Sequence, residues 1–181
     1  MTLYFCRVER EHTMEKQTLN DICEYRRERI SVSELSAHNY VSTENMILNK
    51  GGVAEASSLP STEFVQAYFT GDVLVSNIRP YFKKIWFARE NGGCSNDVLV
   101  FKAKQGTDKT FLYYVLSNDQ FFTYSMASSQ GTKMPRGDKQ TIMQYEVPKF
   151  QIDIQRKIGQ LLRNIDEKIL VNTNINKNLV V

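Results

Sequence analysis

Two segments of this sequence are rich in side chains that could bind a polyanion. The first provides the candidate binding residues Asn77, Arg79, Tyr81, Lys83 and Lys84. The second provides the candidates Ser129, Gln130, Gly131, Lys133, Arg136 and Lys139. Lysine and arginine hold phosphates, while arginine, asparagine and glutamine can also read base edges in a DNA groove. These residue types are compatible with binding to double-stranded DNA, but composition alone fits an exposed hydrophilic turn for each segment at least as well.

No enzyme motif accompanies those segments. The glycine pairs Gly51-Gly52 and Gly92-Gly93 lack the G-x-G spacing of a nucleotide-binding loop, and no phosphate-binding P-loop occurs. A metal nuclease needs clustered carboxylates, and these do not accompany Asp97. His12 and His38 lack the neighbours that a metal site or a catalytic triad would require. We therefore predict a non-catalytic chain with no metal and no cofactor of its own.

Length and composition limit the class of protein further. The chain has 181 residues, of which 41% are hydrophobic and 24% charged, and its net charge is +3. That size fits one globular domain with an appended element. No apolar run is long enough to cross a membrane, and the charged N-terminus is unlike a signal peptide. The three cysteines, Cys6, Cys23 and Cys94, form no C-x-x-C pair, so we expect reduced thiols in a cytoplasmic protein.

Alternation and spacing of apolar residues predict the secondary structure. Strands are predicted at residues 72–78, 85–88, 97–103 and 141–147, where short apolar runs are bounded by turn residues. Helical spacing over residues 109–126, with a break near 117–119, predicts two short helices. Residues 31–60 and 128–138 are interpreted as loops, the former with short strands. The charge cluster at residues 26–29 is interpreted as a solvated surface.

A long helix is predicted from residue 153 to about residue 178. Its apolar and asparagine positions recur with spacings of 4, 3, 4, 3, 4 and 3, which is a heptad seam. The seam comprises Ile158, Leu162, Ile165, Ile169, Asn172, Asn176 and Leu179, and Leu161 widens its apolar face. Such a seam predicts contact with another long helix, while the alternative is a helix packed on its own domain.

Four segments, in order, resemble one half of the specificity (S) subunit of type I restriction–modification systems. Residues 18–22 resemble the opening of a target recognition domain, with Asn20 where the family often has glycine. Residues 71–81 are similar to the family's G-D-x-L-x-S-x-I-R-P-Y stretch, and residues 131–144 to the loop and strand that close the domain. Residues 147–169 resemble its I-P-x-P-x-x-x-Q-x-x-I pattern, with Phe150 in place of the second proline.

The resemblance implies a mixed α/β target recognition domain at residues 17–150, preceded by an extension at residues 1–16. A conserved-region helix at residues 151–181 would follow it. In the family, each recognition domain reads half of a bipartite DNA target, and the helices dock methyltransferase (modification) subunits that use S-adenosylmethionine. A restriction subunit adds ATP- and Mg-dependent chemistry. The half length predicts a homodimer or a second specificity fragment. The alternative is a truncated or stand-alone DNA-binding or protein-interaction module without specificity of its own.

Overall fold

An antiparallel sheet of four strands lies at the centre of the domain. In a computed structural model, which describes residues 15–129 and 134–179, the order is β2 (Cys23–Tyr25), β9 (Val98–Ala103), β6 (Val73–Ser76) and β7 (Ile85–Phe87). Every residue of β6 is buried, because both faces of the sheet are covered. Alternate side chains therefore enter two different apolar clusters, which explains the continuous apolar runs of β6 and β9.

Helices cover one face of the central sheet. Helices α2 (Lys109–Ser117) and α3 (Asp119–Ala127) bury Leu112, Leu116, Phe121 and Phe122 against that face. The predicted break between the two helices is confirmed. It falls at Asn118, whose side chain accepts a hydrogen bond from the Gln120 amide at 2.9 Å and so caps α3.

A second sheet of four strands covers the other face. Its order is β3 (Arg29–Ser31), β5 (Phe64–Tyr68), β8 (Gly92–Cys94) and β4 (Tyr40–Val41), and β4 pairs with β8 in parallel. A 3-10 turn at Val32–Glu34 follows β3. The Gly92-Gly93 pair is structural, since a Cβ atom on Gly92 would lie 2.1 Å from the Asn39 carbonyl oxygen.

The segment before the long helix differs from the prediction. Strand β1 (Lys16–Thr18) pairs with β10 (Glu146–Pro148), and helix α1 (Leu19–Ile22) follows β1. The predicted strand at residues 141–147 is wrong for residues 141–145, where helix α4 (Lys139–Ile142) ends and a turn follows; only residues 146 and 147 belong to β10. Asp138 caps this helix by accepting a hydrogen bond from the Thr141 amide at 2.8 Å. Ile142 and Met143, at the end of α4, are both buried.

The charge cluster at residues 26–29 is not uniformly solvated, so that interpretation is wrong for Arg26. The Arg26 side chain is only 9% exposed and forms a bidentate ion pair with Asp72, which is 5% exposed. Asp72 also accepts a hydrogen bond from the Phe69 amide at 2.8 Å, and the Arg26 guanidinium lies 4.5 Å from the centre of the Phe69 ring. Arg27, Glu28 and Arg29 are exposed.

The predicted C-terminal helix is confirmed as α5 (Ile152–Leu179), with 28 residues. At 1.5 Å per residue it is about 42 Å long. Its first turns pack against α2, and Tyr114 of α2 donates a hydrogen bond to Asp166 at 2.8 Å. Every residue from 163 to 178 is exposed, so the second half of α5 extends beyond the domain. Within the described residues, no helix is both long and apolar enough to span a membrane.

The buried Gln155 attaches α5 to the domain. Its side chain accepts a hydrogen bond from the Asp108 amide at 3.0 Å and donates one to the Phe150 carbonyl at 2.9 Å. Phe150 itself packs edge-on against Phe111, with ring centres 6.0 Å apart, where the family pattern has proline. A glutamine in the first turn of α5 thus ties three separate segments together.

Replacing Gln155 with alanine is therefore expected to lower the free energy of unfolding by about 1–3 kcal/mol, because buried backbone groups lose their partners. Chemical denaturation followed by circular dichroism measures this change. The matched control is Gln160→Ala, since Gln160 is exposed on the same helix and bonds only to the neighbouring Asn164 at 2.7 Å. Equal losses in the two variants would contradict an anchoring role for Gln155.

Candidate nucleic-acid interface

The first predicted binding segment lies beside Pro135 and Arg136 of the second, at one end of the central sheet. The Arg79 amide donates a hydrogen bond to the Pro135 carbonyl at 2.9 Å, and Ile78 forms an isolated antiparallel bridge with Arg136. The Asn77 amide donates to the Asp97 carbonyl at 2.8 Å, which continues the pairing of β6 with β9. Segments that are far apart in sequence therefore form one surface.

The first segment folds as a 3-10 turn, Pro80–Phe82, with left-handed backbone at both ends. Arg79 and Lys83 each have a φ of 50°. Proline suits the first position of such a turn because its ring fixes φ and it needs no amide partner. The turn presents Tyr81 outward, 49% exposed, with its ring centre 4.6 Å from that of Phe82.

A third loop, which is absent from the predicted site, joins this surface. The Asn49 amide donates to the Phe82 carbonyl and the Lys50 amide to the Lys83 carbonyl, each at 2.9 Å. The glycine pair after Lys50 indicates a turn in the sequence, but nothing in the spacing connects that turn to residues 79–83. We call residues 49–50, 79–84 and 134–136 the loop patch.

Backbone strain is concentrated in the loop patch. Among the described residues, the non-glycine positions with positive φ are Asn49, Lys50, Arg79 and Lys83, and all four belong to it. Left-handed backbone costs a non-glycine residue about 1–2 kcal/mol. Such strain persists where the surrounding structure enforces it, and it is typical of functional sites.

Two buried polar atoms without hydrogen-bond partners lie in or beside the same patch. They are Oδ1 of Asn77 and Nε of Arg79, the only such side-chain atoms in the described part of the chain. Buried polar atoms in native proteins usually have a partner, so each exception calls for an explanation. Their position beside the strained turn marks this end of the sheet as the candidate site.

Four of the five cations of the loop patch, all except Arg79, are held by acceptors within the domain. Lys83 and Lys50 contact the two carboxylate oxygens of Asp119 at 2.8 and 3.0 Å, and their hydrogen bonds hold the pKa of Asp119 below its usual value. Arg136 contacts Asp97 at 3.1 Å. Lys84 donates to the Thr43 carbonyl at 2.5 Å, and its partial burial lowers its pKa. The charged groups are thus positioned before any ligand arrives.

Metal or thiol chemistry has no support in the described residues. Across residues 15–129 and 134–179, no three histidine, cysteine, aspartate or glutamate side chains are close enough to hold a metal ion. Cys23 and Cys94 are free and buried, and burial raises the pKa of each thiol to about 12. Neither thiol is therefore a thiolate at neutral pH.

Comparison with known proteins identifies the family. Residues 11–180 match the family described as "Type I restriction modification DNA specificity domain". The chain belongs to this family. The predicted resemblance is thereby confirmed. Over 103 residues the chain is 27% identical to the type I restriction enzyme EcoDI specificity subunit of Escherichia coli, covering 55% of this chain and 23% of that protein.

Solved structures share the fold of this specificity domain. The HsdS subunit from Thermoanaerobacter tengcongensis superposes with a TM-score of 0.68 at 20% identity, over 91% of this chain and 45% of that one. The S subunit from M. genitalium gives 0.60 at 16% identity, over 95% and 45%. These matches confirm the predicted mixed α/β fold followed by a long helix. The chain spans less than half the length of each relative.

The remaining predicted binding residues that the structure describes lie outside the loop patch. Asn77 is 6% exposed, so its side chain lies beneath the surface, and a Cβ atom on Gly137 would lie 3.1 Å from its Oδ1. Ser129 donates a hydrogen bond to the Met126 carbonyl at 2.7 Å, at the end of α3. Lys139 lines an open groove that does not include the loop patch. The predictions at Gln130, Gly131 and Lys133 lie outside the described residues.

The seam of α5 divides into an inner and an outer part. Ile158 and Leu162 are half-buried near the domain. Leu161, Ile165 and Ile169 are 61%, 45% and 58% exposed. Further along the helix, exposed positions include Asn172 and Asn176 of the seam, and Ile175 beside it. The described chain supplies nothing that covers this outer part, so it remains available to another helix.

Proposed function

We propose that this specificity domain binds double-stranded DNA through the loop patch and reads one half of a bipartite target. The observation that carries the proposal is the coincidence, at one end of the central sheet, of positioned cations, strained backbone and unpartnered buried polar atoms. Membership of the DNA specificity domain family supports it. In this proposal residues 17–150 recognise DNA, and residues 151–181 contact partner proteins.

The side chains of the patch suit different parts of DNA. Arg79 and Arg136 carry planar guanidinium groups that can bond to guanine in two places, which gives about 1–3 kcal/mol of discrimination per base. Lys83 and Lys84 are point charges suited to phosphates. Tyr81 adds an exposed aromatic ring beside them. The loop patch therefore combines backbone positioning with base reading.

The exposed face of α5 supports a second part of the proposal, which is assembly. We infer that it pairs with the equivalent helix of a second copy or of another specificity fragment, because the apolar side chains of Leu161, Ile165 and Ile169 are 45–61% exposed along it. A two-fold homodimer would present two recognition domains to a bipartite palindrome.

Catalysis in this proposal belongs to other chains of a cytoplasmic restriction–modification complex. The methyltransferase subunit would supply S-adenosylmethionine chemistry, and the restriction subunit would use ATP and Mg. This chain would contribute recognition and docking without a catalytic residue or a cofactor of its own. Its own residues would orient the DNA target for those subunits.

DNA binding by the patch is tested with Arg136→Gln. Because a cation is lost from the interface, the affinity for duplex DNA is expected to fall several-fold. The slope of the logarithm of the affinity against the logarithm of the salt concentration is expected to decrease by about one, which corresponds to one phosphate contact. Fluorescence anisotropy across a salt series measures both quantities. The control is Arg156→Gln, which removes the same charge from an exposed position on α5. Equal effects of the two variants would show that net charge alone attracts DNA.

A further inference from the structure

Two lysines from separate loops converge on one carboxylate in the loop patch. Nζ of Lys83 lies 2.8 Å from Oδ2 of Asp119, and Nζ of Lys50 lies 3.0 Å from Oδ1. Each ammonium group therefore contacts its own oxygen of the same anion. A DNA phosphodiester likewise carries one negative charge and two non-bridging oxygens, so it could replace the carboxylate with little change in the lysines.

The backbone enforces this convergence. Lys50 and Lys83 both have left-handed backbone, with φ of 63° and 50°, and the Lys50 amide donates to the Lys83 carbonyl at 2.9 Å. The two loops are thus joined directly at the lysines, more than thirty positions apart in sequence. Each lysine stays about one-third exposed, at 37% and 33%, so the site is open to a ligand from outside.

The Asp119 carboxylate is not the cap of helix α3. The cap of α3 is Asn118, whose side chain accepts the hydrogen bond from the Gln120 amide. The Asp119 side chain is 61% exposed, and exposed ion pairs add little to stability. The contacts described for the Asp119 carboxylate are those with Lys50 and Lys83. A role for this carboxylate would therefore act through the two lysines.

We propose that Lys50 and Lys83 form a clamp for one DNA phosphate, and that Asp119 occupies the clamp as a placeholder anion in the free protein. The proposal rests on the proposed DNA binding and adds to it a specific phosphate site. The placeholder keeps both side chains ordered, which reduces the entropy lost on binding. It also competes with every phosphate, which weakens binding to DNA that lacks further contacts.

If Asp119 is a placeholder, removing its carboxylate and removing one of the lysines change the affinity for DNA in opposite directions. Replacing Asp119 with asparagine removes the competing charge, so the affinity for a mixed-sequence duplex is expected to rise several-fold, most strongly at low salt. Replacing Lys50 with alanine is expected to lower the affinity several-fold. In the double variant the gain from Asp119→Asn is expected to shrink, because half of the clamp is missing.

The experiment is fluorescence anisotropy of the full chain with a mixed-sequence duplex over a salt series. The control is Glu24→Gln, which changes net charge equally and breaks a comparable exposed pair, Lys102–Glu24 at 2.9 Å, on β2 and β9. Thermal unfolding of each variant verifies folding, and Asp119→Ser replaces Asp119→Asn if the latter does not fold.

The possible results distinguish failure of the clamp from failure of the proposed DNA binding. If Asp119→Asn raises the affinity no more than Glu24→Gln, or if its gain is undiminished in the Lys50→Ala background, the clamp is overturned while DNA binding stands. If the unsubstituted chain does not bind the duplex at any salt concentration, the proposed function fails, and the clamp fails with it.

Discussion

Replacing Asp72 with alanine is expected to lower the free energy of unfolding by about 3–5 kcal/mol, a large fraction of the total for a domain of this size. The reason is that the Arg26 guanidinium, whose side chain is 9% exposed, would lose its buried carboxylate partner and keep only the half-exposed Glu28 carboxylate, at 2.9 Å. The Phe69 amide would lose its acceptor as well. Chemical denaturation followed by circular dichroism measures the loss.

Two comparisons test whether the loss of stability in Asp72→Ala comes from the buried Arg26–Asp72 pair. Glu24→Ala breaks the exposed pair with Lys102 and is expected to leave the denaturation midpoint nearly unchanged, since solvent screens exposed pairs. Arg26→Ala is expected to destabilise the domain as well, and the double variant much less than the sum of the two single changes. Additive effects, or an Asp72→Ala effect no larger than that of Glu24→Ala, would contradict the account of this pair.

Introducing aspartate at both Ile165 and Ile169 is expected to abolish self-association through α5. These side chains are 45% and 58% exposed on the seam, and each would contribute about 1.5–3 kcal/mol if fully buried in a helix pair. Losing both contacts corresponds to a dissociation constant at least about a hundredfold larger. Multi-angle light scattering over a concentration series measures the change from dimer to monomer.

The control for the helix variant carries the same added charge on the other side of α5. Asn164→Asp combined with Asn174→Asp places two aspartates at exposed positions outside the heptad seam. This variant is expected to associate like the unsubstituted chain. If both variants are monomeric, added charge alone explains the loss. If the unsubstituted chain is itself monomeric at high micromolar concentration, with and without a methyltransferase subunit, the homodimer is excluded.

The sequence predicted those elements whose own residues determine their structure. Strands β6 and β9 are continuous apolar runs bounded by turn residues, and α5 carries a heptad seam without proline. The short helix α4 was not predicted, because its four residues span little more than one helical turn and its cap, Asp138, also fits a turn. Short elements depend on tertiary contacts such as the burial of Ile142.

The site was predictable in composition but not in arrangement. The cations of residues 79–84 and of Arg136 are visible in the sequence, while the place of Lys50 depends on backbone hydrogen bonds to a loop more than thirty positions away. Partners such as Asp119 and Asp97 are likewise remote in sequence. The burial of Asn77 and Arg26 follows from sheet packing, which no local pattern of charges reveals.

Methylome sequencing tests directly whether this chain directs sequence recognition on DNA. Cells that express the partner modification subunits are compared with and without the gene for this chain. If this chain directs recognition, a bipartite adenine-methylation motif is expected only when the gene is present. An unchanged set of methylated motifs, with the partner subunits expressed and this chain detectable, would contradict it.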